Sequence, residues 1–309
     1  MKKFAFVFSG QGSQYPAMGS ELYQNYACVR QVYEAGSDIL GLDLYKATME
    51  SDEQQLAKTG LAQPLIFTLS VAAAALLREK GITPAGVAGF SLGECSAVTV
   101  AGGVSLEDGF RLIRSRAQFM EEAANQGSGA MSAIIGLDDQ TISRMCDEVS
   151  GYVVPVNFNC DGQTVIAGET AAIEQAEQAM LEAGAAKAVR LAVSGAFHSR
   201  MMESASQKLH DALAGMPSLE MQAPLFSNLT GGKINRIENI PEYFQKQMVS
   251  PVQWKQCVGA MMADGMEAYV ELGPKKTLCS FIRKIDRSNK VFNVEDEKSL
   301  SKLLTAAEE

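Results

Sequence analysis

The sequence predicts an α/β protein whose body is built on a parallel sheet and interrupted by a smaller antiparallel unit. Three patterns carry that prediction. Short apolar runs such as Phe4 to Phe8 are followed at once by glycine, as expected of strands buried on both faces of a parallel sheet. A GxSxG element, Gly89-Phe90-Ser91-Leu92-Gly93, closes one such run and opens a small-residue helical pattern from Cys95 to Gly102. From Gly127 to Val193 the pattern becomes strand, helix, strand, strand, helix, strand, the order of the ferredoxin-like unit.

Taken in order, Phe4 to Phe8 is the first strand, and Gly10-Gln11-Gly12-Ser13-Gln14 follows it. That loop is a poor nucleotide site, because the third glycine of GxGxxG falls on Tyr15 and no Lys-Ser/Thr pair follows. Its glycines suit close backbone approach to another loop, with Gln11 directed into a cleft at the strand's C-terminal end. Helical spacing occupies Glu21 to Ala47, and a further helix runs from Leu61 to Lys80 with Pro64 suited to its first turn. Ile82 to Phe90 is a strand leading into the GxSxG turn. Ser105-Leu106-Glu107-Asp108 reads as a capped helix start. That helix carries Arg111, Arg114 and Arg116, whose spacings of three and two keep them from sharing one face, so at least one is ordinary surface.

The middle unit divides into strands Met131 to Leu137, Val153 to Phe158, Thr164 to Gly168 and Ala186 to Val193, with helices Asp139 to Val149 and Thr170 to Ala183. The implied division is a body of residues 1–124 and 196–309, with residues 125–195 inserted in it. Ser194 to Ser199 then leads to a long helix ending at Ala214. A strand-like Pro224 to Leu229, a Gly231-Gly232 turn and a helix around Tyr243 to Met248 follow. Glu267 to Leu272 and Val291 to Val294 complete the strands, and the end at Glu308 and Glu309 reads as frayed.

With 309 residues, 47% apolar and 20% charged, the composition is that of a globular protein with a sizeable core. A net charge of −9 argues against a nucleic-acid partner. The apolar part of the N-terminus is too short for a signal peptide, and the longest continuous apolar stretch, Val71 to Leu77, is too short for a membrane span. Six scattered cysteines without a CxxC pair, beside only two histidines, are poor material for a metal site and fit reduced thiols in a cytoplasm.

GxSxG after a strand places its serine on a sharp turn, with glycines permitting strained backbone angles and close approach of the next helix. The Leu92 N–H then lies at the helix start, where unpaired donors can hold a developing oxyanion. The same five residues also suit a turn whose serine merely caps a helix, so the rest of the chain must decide.

Several motifs in order do so. Gly10 to Gln14, Gly89 to Glu94, Arg116 before Gln118-Phe119-Met120, Asn157-Phe158-Asn159 with Gly162-Gln163, Ala196-Phe197-His198, Pro251 to Trp254 and Glu271 to Pro274 resemble the malonyl-CoA:acyl-carrier-protein transacylases and the related polyketide-synthase acyltransferases. The resemblance covers nearly the whole length. It implies an α/β-hydrolase-like body with an inserted ferredoxin-like subdomain, malonyl-CoA and an acyl carrier protein as partners, and no metal or redox cofactor. By resemblance, Ser91 is the nucleophile, His198 its general base, and the backbone carbonyl of Gln247 the group that orients the imidazole. The oxyanion donors would be the N–H groups of Gln11 and Leu92. Arg116 would grip the free carboxylate of malonate, although on residues alone it reads as a surface arginine paired with Glu121 or Glu122. Phe197 would fill the space that an α-methyl needs. Asn157, Asn159 and Gln63 match positions near the cleft and serve equally well as turn or capping residues. His210, in a helix of mixed polarity, reads as surface.

Many family members have histidine where this chain has Phe90, which removes any polar role for that side chain. Docking of the carrier on this acidic chain calls for a local basic patch: Lys275, Lys276, Arg283, Lys284 and Arg287, or Lys187 and Arg190. The competing readings are a trans-acting polyketide-synthase malonyltransferase, a serine esterase with an acid between serine and histidine, and a non-catalytic carrier-docking protein.

Overall fold

The computed structural model describes residues 2–193 and 195–308, so Met1, Ser194 and Glu309 lie outside the described residues. The described strands are β1 (Phe4–Phe8), β2 (Gly86–Gly89), β3 (Gly129–Ile135), β4 (Val153–Cys160), β5 (Gln163–Glu169), β6 (Lys187–Arg190), β7 (Leu225–Phe226), β8 (Lys233–Ile234), β9 (Ala268–Leu272) and β10 (Lys290–Val294). They form one sheet of order β10-β9-β1-β2-β7-β8 and a second of order β4-β5-β3-β6. The first is parallel except for its edge strand β8. The second is antiparallel throughout.

The sequence of β1 explains its central place. Phe4, Phe6 and Phe8 enter the large core on one face, while Ala5 and Val7 enter a second apolar cluster with Trp254 and Tyr269 on the other. A strand with no polar face can only lie inside. Its register pairs Phe8 with both Gly89 and Leu272, so the chain leaves β1, β2 and β9 at the same edge of the sheet. Three loops, Gly10–Gln14, Phe90–Leu92 and Gly273–Pro274, are therefore gathered where an open α/β sheet holds its ligands.

The smaller sheet has two faces with different fates. Ile134 and Ile166 pack under helices Asp139–Glu148 and Thr170–Glu182, while Met131, Ala133 and Val165 join the large core of the body. The strand order is that of the ferredoxin-like unit. Its docking includes a parallel bridge between Asn157 and Val252, with the Val252 N–H donating to the Val156 carbonyl at 2.8 Å.

Several elements differ from expectation. The helix expected from Leu61 begins at Thr59, which places Pro64 in its second turn rather than its first. Thr59–Glu79 is also long and apolar enough to cross a membrane by length and composition, because alanine, serine and threonine extend the Val71–Leu77 run. It is instead the central helix of the core, with 83% of that window buried against neighbouring helices and strands. Strand β2 is limited to Gly86–Gly89, since Pro84 has no N–H to donate to a ladder. β6 stops at Arg190 on the exposed edge of its sheet. The expected long helix to Ala214 is a 3-10 turn at Arg200–Met202 followed by a helix at Glu203–Ala212. Glu308 is the last residue of the helix Glu297–Glu308 and not a frayed end.

Candidate active site

Ser91 stands between β2 and the helix Gly93–Ala101 with φ of 55°, a left-handed angle that a non-glycine residue adopts at a cost of about 1–3 kcal/mol. The flanking glycines make the turn possible. A Cβ on Gly89 would lie 1.9 Å from the Gly93 carbonyl carbon, and one on Gly93 would lie 2.1 Å from the Phe8 carbonyl oxygen. Helix and sheet meet backbone to backbone. Gly10 makes the same contact from the other loop, its absent Cβ falling 2.9 Å from the Phe90 carbonyl oxygen. The Gln11 loop is thereby held against the serine turn, and neither the Gln11 nor the Leu92 N–H donates to a protein acceptor among the described residues.

His198, also at a left-handed φ of 62°, brings Nε2 to 2.6 Å from the Ser91 hydroxyl oxygen. Its Nδ1 lies 3.1 Å from the Gln247 carbonyl and 3.1 Å from the Ser250 carbonyl. A carbonyl can only accept, so Nδ1 carries the proton and Nε2 presents a lone pair to the serine. Burial and the charge of Arg116 push the His198 pKa down to about 4. The imidazole is neutral near pH 7.

Arg116 is fully buried, which corrects the reading of it as a surface arginine; the surface members of the trio are Arg111, paired with Glu107 and Asp108, and Arg114. Its guanidinium donates to Gln63 Oε1 at 2.8 Å, to Ser91 Oγ at 3.1 Å and to Gln247 Oε1 at 3.3 Å. Nε has no partner, and among the described residues no carboxylate pairs with this cation. A buried, unpaired guanidinium costs stability, as expected where an anionic ligand supplies the missing charge.

Gln63 belongs to the same network, since its Nε2 lies 3.3 Å from Gln11 Oε1, while Gln11 Nε2 donates to Thr59 Oγ1. The Gln11 amide is thus tied to the core helix rather than free in the cleft. Gln247 contributes three times, by its carbonyl to His198, by its side-chain Oε1 to Arg116 and by its side-chain Nε2, which donates to the Ser91 carbonyl at 2.8 Å. Phe197 is buried in the large core directly before His198. Asn157 and Asn159 lie on β4 near the bridge to Val252, with their Oδ1 atoms buried and unpartnered, and no hydrogen bond joins either to the Ser91 network. Phe90 points elsewhere, its ring set edge-on to Trp254 at 5.8 Å and tilted to Phe281 at 6.2 Å. A cleft of about 450 Å³ lined by Gln11, Tyr15, Leu56, Leu191, Val193 and Lys275 opens beside the Gln11 loop. His210 is partly exposed beside Asp211, and Arg190 is held by Glu177 through two bonds of 2.8 and 2.9 Å, which removes it from any free basic patch.

Three participants were not anticipated. The Ser250 carbonyl is one, and backbone groups leave no signature in a sequence. Asn228 accepts from the Ser91 N–H, and Glu94, fully buried, accepts from the Asn228 N–H. Glu94 did carry a signal: it is the only charged residue in the helix Gly93–Ala101, whose other residues are small or apolar. Burial raises its pKa to about 7.

A serine on a strained turn, a neutral histidine facing it and a buried cation within reach, on this two-sheet body, define an acyltransferase. The acyl transferase domain family matches residues 5–308. The chain is 40% identical over 288 residues to the malonyl CoA-acyl carrier protein transacylase of Escherichia coli strain K12, covering 92% of this chain and 93% of that one. To the enzyme of the same name from Bacillus subtilis strain 168 it is 36% identical over 303 residues, 97% of this chain and 96% of that one. The crystal structure of MCAT from Streptococcus pneumoniae superposes with a TM-score of 0.94 at 38% identity, covering 98% of this chain and all of that one. A malonyl-transacylase solved in complex with its type II PKS acyl-carrier protein superposes equally well, with a TM-score of 0.94 at 37% identity, over 99% of this chain and 100% of that one. The chain belongs to the malonyl CoA-acyl carrier protein transacylase family.

Proposed function

We propose that this enzyme moves a malonyl group from malonyl-CoA to the phosphopantetheine thiol of an acyl carrier protein by a ping-pong route through a malonyl ester on Ser91. The observation that carries the reading is the buried Arg116 guanidinium, without a carboxylate partner, 3.1 Å from a serine oxygen that lies 2.6 Å from His198 Nε2. Ser91 Oγ attacks the thioester carbonyl as Nε2 takes its proton. The N–H groups of Gln11 and Leu92 hold the oxyanion, and collapse expels the CoA thiolate, which recovers the proton from His198. The carrier thiol then gives its proton to His198 and attacks the malonyl-serine carbonyl, and collapse breaks the ester bond, releasing the malonyl thioester as Ser91 Oγ takes the proton back from His198. No step calls for a metal or redox group.

Arg116 supplies selectivity in this reading. Its free Nε, with Nη2, is a fork for the malonate carboxylate, and an acetyl group would leave that fork unpaired in a dry site. Burial is the larger cause of the depressed His198 pKa, and pairing would cancel the smaller part that comes from the Arg116 charge, so the base strengthens when the correct acyl chain is bound. An esterase triad is disfavoured because Nδ1 of His198 faces two carbonyls and no carboxylate. A malonyltransferase acting in trans for a polyketide synthase uses the same chemistry, and the similarity to the type II PKS transacylase keeps that carrier in view. Lys275 at the cleft, with Lys276 and Arg283 beside it, is the favoured place for the carrier to dock. We assign residues 1–124 and 196–309 to the catalytic body and 125–195 to the inserted subdomain, since the smaller sheet takes all its strands from between Gly129 and Arg190. A cytoplasmic location suits the six free cysteines.

The test is intact-mass analysis after brief exposure to equimolar malonyl-CoA and acetyl-CoA, followed by addition of a phosphopantetheinylated carrier. A malonyl adduct on Ser91 that passes to the carrier is expected. An adduct that only hydrolyses, or none, would overturn the reading.

A further inference from the structure

The proposed chemistry leaves unexplained how Ser91 is held at its strained angle, and the loop Ser227–Gly232 after β7 supplies the missing constraint. Asn228 is buried with its side chain against the serine turn. Its Oδ1 accepts the Ser91 N–H at 2.9 Å, and its Nδ2 donates to the Gly89 carbonyl at 2.7 Å. One planar carboxamide therefore clasps the backbone on both sides of Phe90 and fixes the angle at which β2 delivers the serine.

The clasp is itself held. The Asn228 N–H donates to Glu94 Oε1 at 2.7 Å, and the Asn228 carbonyl accepts from the Gln253 N–H at 3.0 Å. The Tyr243 hydroxyl donates to the same Glu94 oxygen at 2.8 Å and lies 2.6 Å from the Ser227 hydroxyl. Glu94 sits in the first turn of the helix that follows Ser91, so the network returns to the element it steadies. On the other side Gln247 Nε2 donates to the Ser91 carbonyl. Both peptide groups of Ser91 are thus tied to side chains, the condition under which a strained residue persists.

Resting on the reading of Ser91 as nucleophile, we propose that Asn228 is a positioning residue for acyl transfer, clasping the serine turn under the hold of Glu94 and Tyr243. A chemical consequence follows. The Ser91 N–H is spent on Asn228, which leaves Leu92 as the donor from this turn that is free to face an oxyanion.

The experiment uses Asn228→Ala and Tyr243→Phe in the full chain. A fluorophosphonate titrates the fraction of competent serines, and rapid-quench intact mass then gives the malonylation and phosphonylation rate constants per competent site. Freeing the turn forfeits constraints of about 1–3 kcal/mol, so Asn228→Ala is expected to slow both rate constants roughly 5- to 150-fold. The KM for malonyl-CoA should stay within about threefold, because Arg116 keeps its bonds to Gln63 and Gln247. Tyr243→Phe, which deletes the one hydroxyl shared by Glu94 and Ser227 and leaves the ring in place, is the milder change and should slow them about threefold. Wild-type rates per competent site in either variant, with only the labelled fraction reduced, would make the clasp merely structural and overturn the proposal. If the wild-type protein takes the phosphonate on Ser91 but never malonyl, the functional reading fails while the phosphonate rates still decide the role of Asn228.

Discussion

Arg116→Ala should separate acyl selectivity from acyl transfer. The guanidinium is fully buried and bound only to neutral oxygens, so an incoming malonate carboxylate is its first full counter-charge. Charge-assisted hydrogen bonds contribute about 1.5–3 kcal/mol each, and breaking a buried pair by removing one partner costs about 3–5 kcal/mol. At 1.36 kcal/mol per tenfold, kcat/KM for malonyl-CoA should fall roughly 150- to 5000-fold. Acetyl-CoA has no carboxylate to lose, and its use should be unchanged or improved. Single-turnover acylation of Ser91 with each thioester, followed by intact mass, measures both numbers. The same variant gives an internal check, since removing the positive charge should let His198 titrate closer to its ordinary 6.5. An equal fall for malonyl and acetyl, with an unmoved pH profile, would refute the carboxylate role.

The remaining expectations concern the base, the oxyanion loop and a second buried acid. With His198 depressed to about 4, kcat/KM should hold its plateau well below pH 6.5 and fall only near pH 4–5; an acid limb at 6.5 in the wild-type protein would contradict the site electrostatics. The same depression means that the unfolded chain binds the extra proton first, so His198 costs stability progressively as pH falls from about 6.5 to about 4. Gly10→Ala would drive a Cβ to 2.8 Å from the Phe90 ring and 2.9 Å from its carbonyl, displacing Gln11, and should lower kcat about 10- to 100-fold with little change in KM, measured by steady-state transfer. Glu271 is buried, with its pKa raised to about 7 by desolvation, and it accepts from the Ser9 hydroxyl and the Cys279 N–H. A carboxyl raised in the folded state binds its proton more tightly there than in the unfolded chain, so its contribution to stability is lost as pH rises from about 4.5 to about 7. Glu271→Gln should flatten that part of the curve in chemical denaturation; an unaltered slope would show that Glu271 is not the titrating group.

Local pattern was enough to read the architecture. The unbroken apolar run of β1, glycines on both sides of Ser91 and the βαββαβ order each report a constraint satisfied by neighbouring residues, and each was visible without coordinates. The serine turn was legible for the same reason, because a turn that brings helix and sheet backbones to 1.9 Å of an absent Cβ tolerates only glycine at its edges. Distance along the chain hid the rest. Arg116 lies on a helix with acids nearby, and only packing against the core helix and the segment Ile240–Val249 turns it inward, to Gln63 and Gln247, without a carboxylate. Pro64 and the apolar length of Thr59–Glu79 were ambiguous until the neighbouring layers showed a core helix. Asn228 is 137 residues from the serine it clasps, and the carbonyls of Gln247 and Ser250 act through atoms that every residue possesses. Side-chain chemistry and local geometry are written in the sequence; which polar groups meet in the dark of the core depends on how the layers close over them.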